Sequence, residues 1–323
     1  MALTDEDLIE VPGMASRWVR LAGGAKAHYM TAGDNGPAVV LLHGGLPGSS
    51  GLAGWRFLAP YLADNGFRVY CPDQPGFGLS DPAPQFRPHG VHSHVDFIHE
   101  FTTALCLDRF HLAGNSMGCN NTAAYTVAHP ERVISYALIA GDVGDVLPPG
   151  NRPPPKIELT NYDGTRKGMR RLMEAIIYKK SAISDDLLEM RWRSADRHKH
   201  GHEQYWPGLL QYNQLIPWAD QNLAARLSTK GRVDRLDIPG VYVYGRQDVL
   251  IPVEFGYAQE EVLPAVQFFY PDECGHQAQT DRPDLVNPLL LEFFRDGIVS
   301  RATADAAGVS ARRPELVTSV EKD

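Results

Sequence analysis

The pentapeptide Gly114-Asn115-Ser116-Met117-Gly118 has the residue types that nucleophilic catalysis needs. It follows a short apolar run, Phe110-His111-Leu112-Ala113, and precedes a helical stretch over 120–127 that stops near Pro130. A serine with glycine two residues before and two after, between a strand and a helix, is the pattern of a nucleophile elbow. The turn is sharp enough to strain the serine backbone. A Cβ at either flanking glycine would strike the adjoining strand or helix. The hydroxyl then stands above the sheet, and the helix N-terminus behind it favours negative charge nearby.

Serine is a weak nucleophile unless an imidazole takes its proton and a carboxylate fixes the imidazole's tautomer. Where a nucleophile elbow is used, acid and base follow the serine along the chain. Asp248, in Gly245-Arg246-Gln247-Asp248, comes just after the strand-like run Gly240-Val241-Tyr242-Val243-Tyr244. Open α/β sheets bind ligands at the carboxyl ends of their strands, so Asp248 is the expected acid. His276, in Glu273-Cys274-Gly275-His276, follows the strand-like Val266-Gln267-Phe268-Phe269-Tyr270 and precedes a terminal helix; it is the expected base. Asp73 and Asp142 also follow strand-like runs, but they fit turn or cap hydrogen bonding better. The apolar strand Ala38-Val39-Val40-Leu41-Leu42 runs into His43-Gly44-Gly45-Leu46-Pro47-Gly48. Glycines there let backbone N–H groups turn toward a developing oxyanion, and the N–H groups of Gly45 and Met117 are the expected donors.

The elements that must hold these residues alternate strand, turn and helix. Strands are predicted over 25–31, 38–42, 68–71, 109–113, 135–140, 240–244 and 266–270, with helices starting at His94, Asn120 and Arg282. Such alternation implies an α/β fold with a mostly parallel central sheet and helices on both faces. The long interval after residue 140 opens with a proline-rich run from Leu147 to Pro155. It continues with helical patterns over 168–178, 184–194 and 203–212. So much helix between consecutive core strands reads as a cap that excludes water and shapes the pocket. The expected division is a core of residues 1–146 and 217–299, a helical cap of 147–216, and a mobile tail of 300–323 that lacks apolar periodicity.

Composition narrows the function classes. The 323 residues are 43% hydrophobic with a formal net charge of −8, which suits one large core plus an insertion. The acidity argues against a nucleic-acid or anionic-membrane partner, and no run reaches the ~20 apolar residues of a membrane span. The first residues are acidic and lack the regions of a signal peptide. Four cysteines without paired spacing, Cys71, Cys106, Cys119 and Cys274, read as reduced buried thiols, and a cytoplasmic location is expected. The groups His89, His92, His94, His99 and His198, His200, His202 lack the Cys or carboxylate spacing of a metal site. They read as solvated or locally hydrogen-bonded, and neither a metal nor a cofactor is expected.

The motifs His43-Gly44-Gly45, Asp73-Gln74-Pro75-Gly76-Phe77-Gly78-Leu79-Ser80, Gly114 to Gly118, Gly245 to Asp248 and Cys274-Gly275-His276 resemble those of the α/β-hydrolase fold. The segment Ile183-Ser184-Asp185-Asp186-Leu187-Leu188-Glu189-Met190-Arg191-Trp192 is similar to the cap of one group within it, the meta-cleavage product hydrolases. These cleave C–C bonds in 2-hydroxy-6-oxo-2,4-dienoates from aromatic degradation. The resemblance runs from about residue 25 to 294. It implies that Arg191 binds the carboxylate or dienol end of the dienoate, and its planar fork suits a carboxylate. It implies substrate-facing roles for Asn115, Gly44, Leu46 and Gln277, a small-molecule substrate, and assembly as a homo-oligomer, dimer or larger. Two other functions fit the residues less closely: a carboxylesterase or lactonase with the same triad, and a ligand-binding protein without turnover. Arg191 separates the first reading from the esterase, and an intact Ser116, Asp248 and His276 argue against the receptor.

Overall fold

The computed structural model describes residues 3–82, 94–148, 156, 162–199 and 221–312. Among them an eight-stranded sheet forms the centre: β1 (Ala15–Arg20), β2 (Lys26–Ala32), β3 (Ala38–Leu42), β4 (Arg68–Pro72), β5 (Phe110–Asn115), β6 (Val133–Ile139), β7 (Gly240–Val243) and β8 (Val266–Phe269). The spatial order is β1-β2-β4-β3-β5-β6-β7-β8. The first two pairings, β1 with β2 and β2 with β4, are antiparallel, and the rest are parallel. The helices are α1 (Gly51–Trp55), α2 (Leu58–Asp64), α3 (His94–Ala104), α4 (Met117–Ala128), α5 (Arg166–Ile176), α6 (Asp185–Arg197), α7 (Gln221–Leu227), α8 (Val253–Val262), α9 (Ala278–Asp281), α10 (Pro283–Asp296) and α11 (Arg301–Ala306).

Parallel strands covered on both faces must be apolar on both sides, and β3 is buried along its whole length. Val39 and Leu41 join one core layer with Trp55, Leu58 and Phe293. Ala38, Val40 and Leu42 join the opposite layer with Phe101 and Tyr125. The two-residue alternation of the strand thus supplies both cores, and each buried Val or Leu side chain contributes about 1.5–3 kcal/mol.

The structure departs from the sequence reading in particular places. β1 was not anticipated, because its Ala-Ser-Arg-Trp-Val-Arg is a partly exposed edge with no apolar run. Helix α4 begins at Met117 rather than at Asn120, so the serine abuts the helix with no linker. Between β6 and β7, α5 begins at Arg166 because the Thr165 hydroxyl caps the Gly168 N–H, and α6 begins behind a Ser184 cap on Leu187. The helix expected over 203–212 lies outside the described residues, as does most of the proline-rich run.

The tail needs correcting. Residues 300–312 are packed: Ser300 caps α11, Ala304 and Ala307 are buried, and Val309 bridges Phe269 of β8. Tyr270 N–H donates to Gly308 O at 2.8 Å and Ser310 N–H to Phe268 O at 2.9 Å. Docking through small alanines and main-chain bonds leaves no apolar period to read. The remainder of the tail, 313–323, lies outside the described residues. Cys106 is exposed rather than buried, whereas Cys71, Cys119 and Cys274 are buried. Among the histidines read as solvated or locally bonded, His94 and His198 are buried; His198 Nε2 lies 2.9 Å from Gly78 O. His89, His92, His200 and His202 lie outside the described residues. No group of three or more His, Cys, Asp or Glu among the described residues could hold a metal ion.

Candidate active site

Ser116 links β5 directly to α4 with φ 57° and ψ −118°, a conformation few L-residues adopt. The flanking glycines are sterically required. A Cβ on Gly114 would lie 2.0 Å from Gly118 O, and one on Gly118 would lie 2.2 Å from Leu42 O. The Ser116 N–H is tied to Ile139 O of β6 at 2.8 Å, so the elbow is anchored in the sheet.

The loop after β3 lies against this elbow. A Cβ on Gly44 would sit 3.2 Å from Ser116 Cβ, and one on Gly45 would sit 2.8 Å from Met117 Sδ. His43 orients the loop. Gln74 N–H donates to His43 Nε2 at 2.9 Å, so the ring proton resides on Nδ1 and is given to Gly44 O at 2.7 Å. Burial pushes the His43 imidazole pKa down, which favours this neutral tautomer. With the Gly44 carbonyl held toward His43, the trans peptide turns the Gly45 N–H the opposite way.

Asp248 follows β7 and His276 lies in the loop after β8. Both are buried, and His276 Nδ1 is 2.8 Å from Asp248 Oδ2. The other carboxylate oxygen accepts Leu250 N–H and Ile251 N–H, each at 2.9 Å. The carboxylate is therefore fixed in place, and it sets the imidazole tautomer that leaves the Nε2 lone pair free. His276 Nε2 is buried and has no hydrogen-bond partner. An imidazole held in this way can accept a proton at Nε2. Asn115, next to the serine, donates from Nδ2 to His276 O at 2.9 Å and so fastens the elbow to the histidine loop.

A narrow cavity of about 10 Å³ opens here, lined in part by Gly44, Ser49, Asn115, Arg191 and Gln277. Arg191 comes from helix α6 and is 1% exposed. Its Nη2 donates only to Pro47 O at 3.3 Å and Ser49 Oγ at 3.5 Å, and its Nε has no partner. Among the described residues no carboxylate lies within ion-pair distance of it. Burial, then repulsion from Arg56, lowers its pKa to about 10, which leaves it cationic at neutral pH. A buried guanidinium without a counter-ion is costly, and a cavity that exposes it suits an anion.

The residues expected from the sequence thus fall into two sets. Gly44, Asn115, Arg191 and Gln277 meet at one cavity, with Ser116, Gly45, Met117, Asp248 and His276 on the loops around it. Leu46 does not line that cavity; it packs against the core layer of Val39 and Trp55. Asn115 is bonded to the histidine loop as well as lining the cavity. Ser49 and the orienting His43 were not singled out as site residues; the only trace of them is their place in the glycine-rich loop. Asp73 supports the site from behind, accepting Gly51 N–H at 2.7 Å and Leu79 N–H at 2.9 Å and lying 2.7 Å from His28 Nδ1.

An elbow serine, a glycine-rich loop against it and an Asp–His pair at successive strand ends lie together on a parallel sheet covered on both faces. The chain belongs to the alpha/beta hydrolase fold family, whose pattern matches residues 37–283. It is 29% identical over 289 residues to a 2-hydroxy-6-oxononadienedioate/2-hydroxy-6-oxononatrienedioate hydrolase of Pseudomonas putida, covering 87% of this chain and 96% of that protein. It is 27% identical over 272 residues to a 2-hydroxy-6-oxo-6-phenylhexa-2,4-dienoate hydrolase of Comamonas testosteroni, covering 83% and 91%. The solved 2-hydroxy-6-oxo-6-phenylhexa-2,4-dienoate hydrolase of a Rhodococcus strain superposes with a TM-score of 0.70 at 27% identity, over 87% of this chain and 99% of that one. No helix among the described residues is long and apolar enough to cross a membrane.

Proposed function

We propose that the chain is a serine-dependent hydrolase that cleaves a C–C bond in a 2-hydroxy-6-oxo-2,4-dienoate. The observation that carries this reading is Arg191, a buried guanidinium that has no carboxylate partner among the described residues and lines the cavity beside the elbow. An ester hydrolase has no need of an unpaired cation there; a dienoate carboxylate fits it. The names of the relatives agree with that choice.

Arg191 binds the carboxylate end. The dienol is ketonised in the pocket, so that the bond to be broken lies beside a ketone and its electrons can flow into a conjugated acceptor. His276 takes a proton at Nε2, from Ser116 or from water, and the resulting nucleophile adds to the C6 carbonyl. The Gly45 and Met117 N–H groups stabilise the oxyanion, a contribution worth about 3–4 kcal/mol for each donor. Collapse of the adduct expels the C5 carbanion, which takes a proton and leaves as 2-hydroxypenta-2,4-dienoate. The acyl half leaves as a carboxylic acid, its hydroxyl supplied by water. Asp248 stabilises the imidazolium throughout.

The test is to mix pure protein with a yellow 2-hydroxy-6-oxo-dienoate and, separately, with p-nitrophenyl esters. Bleaching of the yellow substrate by the native chain, absent in Ser116→Ala, is the expected result. Ester turnover with no dienoate turnover would reject the C–C reading in favour of an esterase.

A further inference from the structure

One buried carboxylate beside the site takes no part in the chemistry just described. Asp281, at the end of α9, is fully buried. Its Oδ2 accepts the N–H of Gly275, the residue before the base, at 2.8 Å. Its Oδ1 accepts the N–H of Lys179 at 2.9 Å. Tyr178 and Lys179 form the turn that leaves cap helix α5. A further bond crosses the same seam: His276 N–H donates to Ile176 O, the last residue of α5, at 3.1 Å. A Cβ on Gly275 would lie 3.2 Å from Ile176 O and 3.3 Å from both Asp281 Oδ2 and Tyr178 N, so the loop and the turn are in close contact.

We infer that Asp281 is a positioning residue for the base, joining the cap turn to the histidine loop so that seating of the cap and orientation of the imidazole are one event. Only a carboxylate-like acceptor suits the position. Two N–H groups converge on it from two segments, and without it they would lose their partner. The charged groups around it are Arg56 at the end of α1, Lys180 in the cap turn and Arg282, the next residue in the chain; the buried thiol of Cys274 beside it stays neutral. Arg56 reinforces the seam, donating from Nη1 to Ala53 O at 2.7 Å and from Nη2 to Ala182 O of the cap at 2.9 Å. Burial pushes the Asp281 carboxyl pKa up, and the N–H bonds from Lys179 and Gly275 act against it. Because α5 packs on α6, an anion drawn to Arg191 shifts the same body that holds His276. Binding at one end of the substrate is thereby coupled to the base at the other.

The inference rests on the reading of Ser116, His276 and Asp248 as the catalytic groups, and the test keeps the two apart. The full-length chain is assayed with p-nitrophenyl acetate, which needs no contact with Arg191, and with the yellow dienoate. Asp281→Asn is expected to lower kcat on both by about 10- to 100-fold, the scale of a misplaced catalytic group, with little change in KM. Lys179→Pro removes one cap donor. Its φ of −79° already suits proline, so the turn can keep its path. That variant is expected to lose several-fold in kcat at an unchanged melting temperature. The double variant is expected to be no slower than Asp281→Asn, because both changes cut one connection. Should Asp281→Asn fail to fold, Lys179→Pro decides the matter alone. Native kcat in either variant, on ester turnover that Ser116→Ala abolishes, would overturn the inference and leave the catalytic reading standing. Ester turnover untouched by Ser116→Ala would overturn that reading and the inference with it.

Discussion

At the scale of single residues, two side chains show how burial and pairing decide chemistry. His276 has a firm partner on Nδ1 and none on Nε2, so its free lone pair is directed by Asp248 rather than left to chance. Arg191 is the opposite case, a charge that the fold buries and does not neutralise. Its retention is unfavourable to stability, since replacing a buried ion by an apolar group of similar length is often neutral or stabilising. Arg191→Met should therefore raise the melting temperature or leave it alone. The same change should lower kcat/KM for the dienoate by roughly 30- to 150-fold, the equivalent of about 2–3 kcal/mol for a lost charged hydrogen bond. Thermal unfolding and steady-state kinetics on one preparation check both halves. A variant that loses stability and keeps its kcat/KM would make Arg191 a structural residue.

At the scale of elements, the site is an agreement between a loop and a cap helix. Gly48 has φ +73°, and a Cβ there would lie 2.2 Å from Arg191 O. The glycine-rich loop thus touches the backbone of α6 at the residue that carries the guanidinium. Gly48→Ala combines a strained φ, worth about 1–2 kcal/mol, with displacement of α6. It should raise KM for the dienoate well above its effect on p-nitrophenyl acetate, which does not use Arg191. Equal effects on the two substrates would mean that the loop, and not the helix, had moved. Such contacts between elements were not readable in the chain. The glycines of 44–48 announced a loop that approaches something closely, and the strand before them placed it, but no local signal names α6 as the neighbour.

At the scale of the whole molecule, a second buried pair controls how the fold responds to acid. Asp73 is bonded to His28 on β2, to the first residue of α1 and to Leu79. Burial would raise its carboxyl pKa, but the charge and hydrogen bond of His28, with help from His43 and Leu79, hold it below the usual aspartate value. A carboxyl whose folded pKa is depressed adds stability above its unfolded pKa, near 3.9, and that stability is lost as pH falls through the lower folded value. Asp73→Asn should cost about 1–3 kcal/mol at neutral pH, because a neutral amide cannot accept all the bonds that the carboxylate takes from His28, Gly51 and Leu79. It should also flatten the loss of stability below about pH 4. Urea unfolding at neutral, mildly acidic and strongly acidic pH measures this; an unchanged acid slope would exclude Asp73 as its source.

The parallel sheet and the elbow between β5 and α4 could be read directly, because each is announced by a few consecutive residues: an apolar run, or a serine between two glycines. The edge strand β1 and the packed segment 300–312 escaped, because an exposed edge and an alanine-based dock carry no apolar period. The sequence by itself determined which residues stand at strand ends and therefore which could do chemistry, since strand, turn and helix are local consequences of side-chain type. Only the tertiary structure decided that Arg191 has no counter-ion among the described residues, that Leu46 packs against the core, and that Asp281 bonds both Lys179 and Gly275. Pairing and burial depend on partners distant in the chain, and the distance between two residues in space leaves no mark on the spacing between them in sequence.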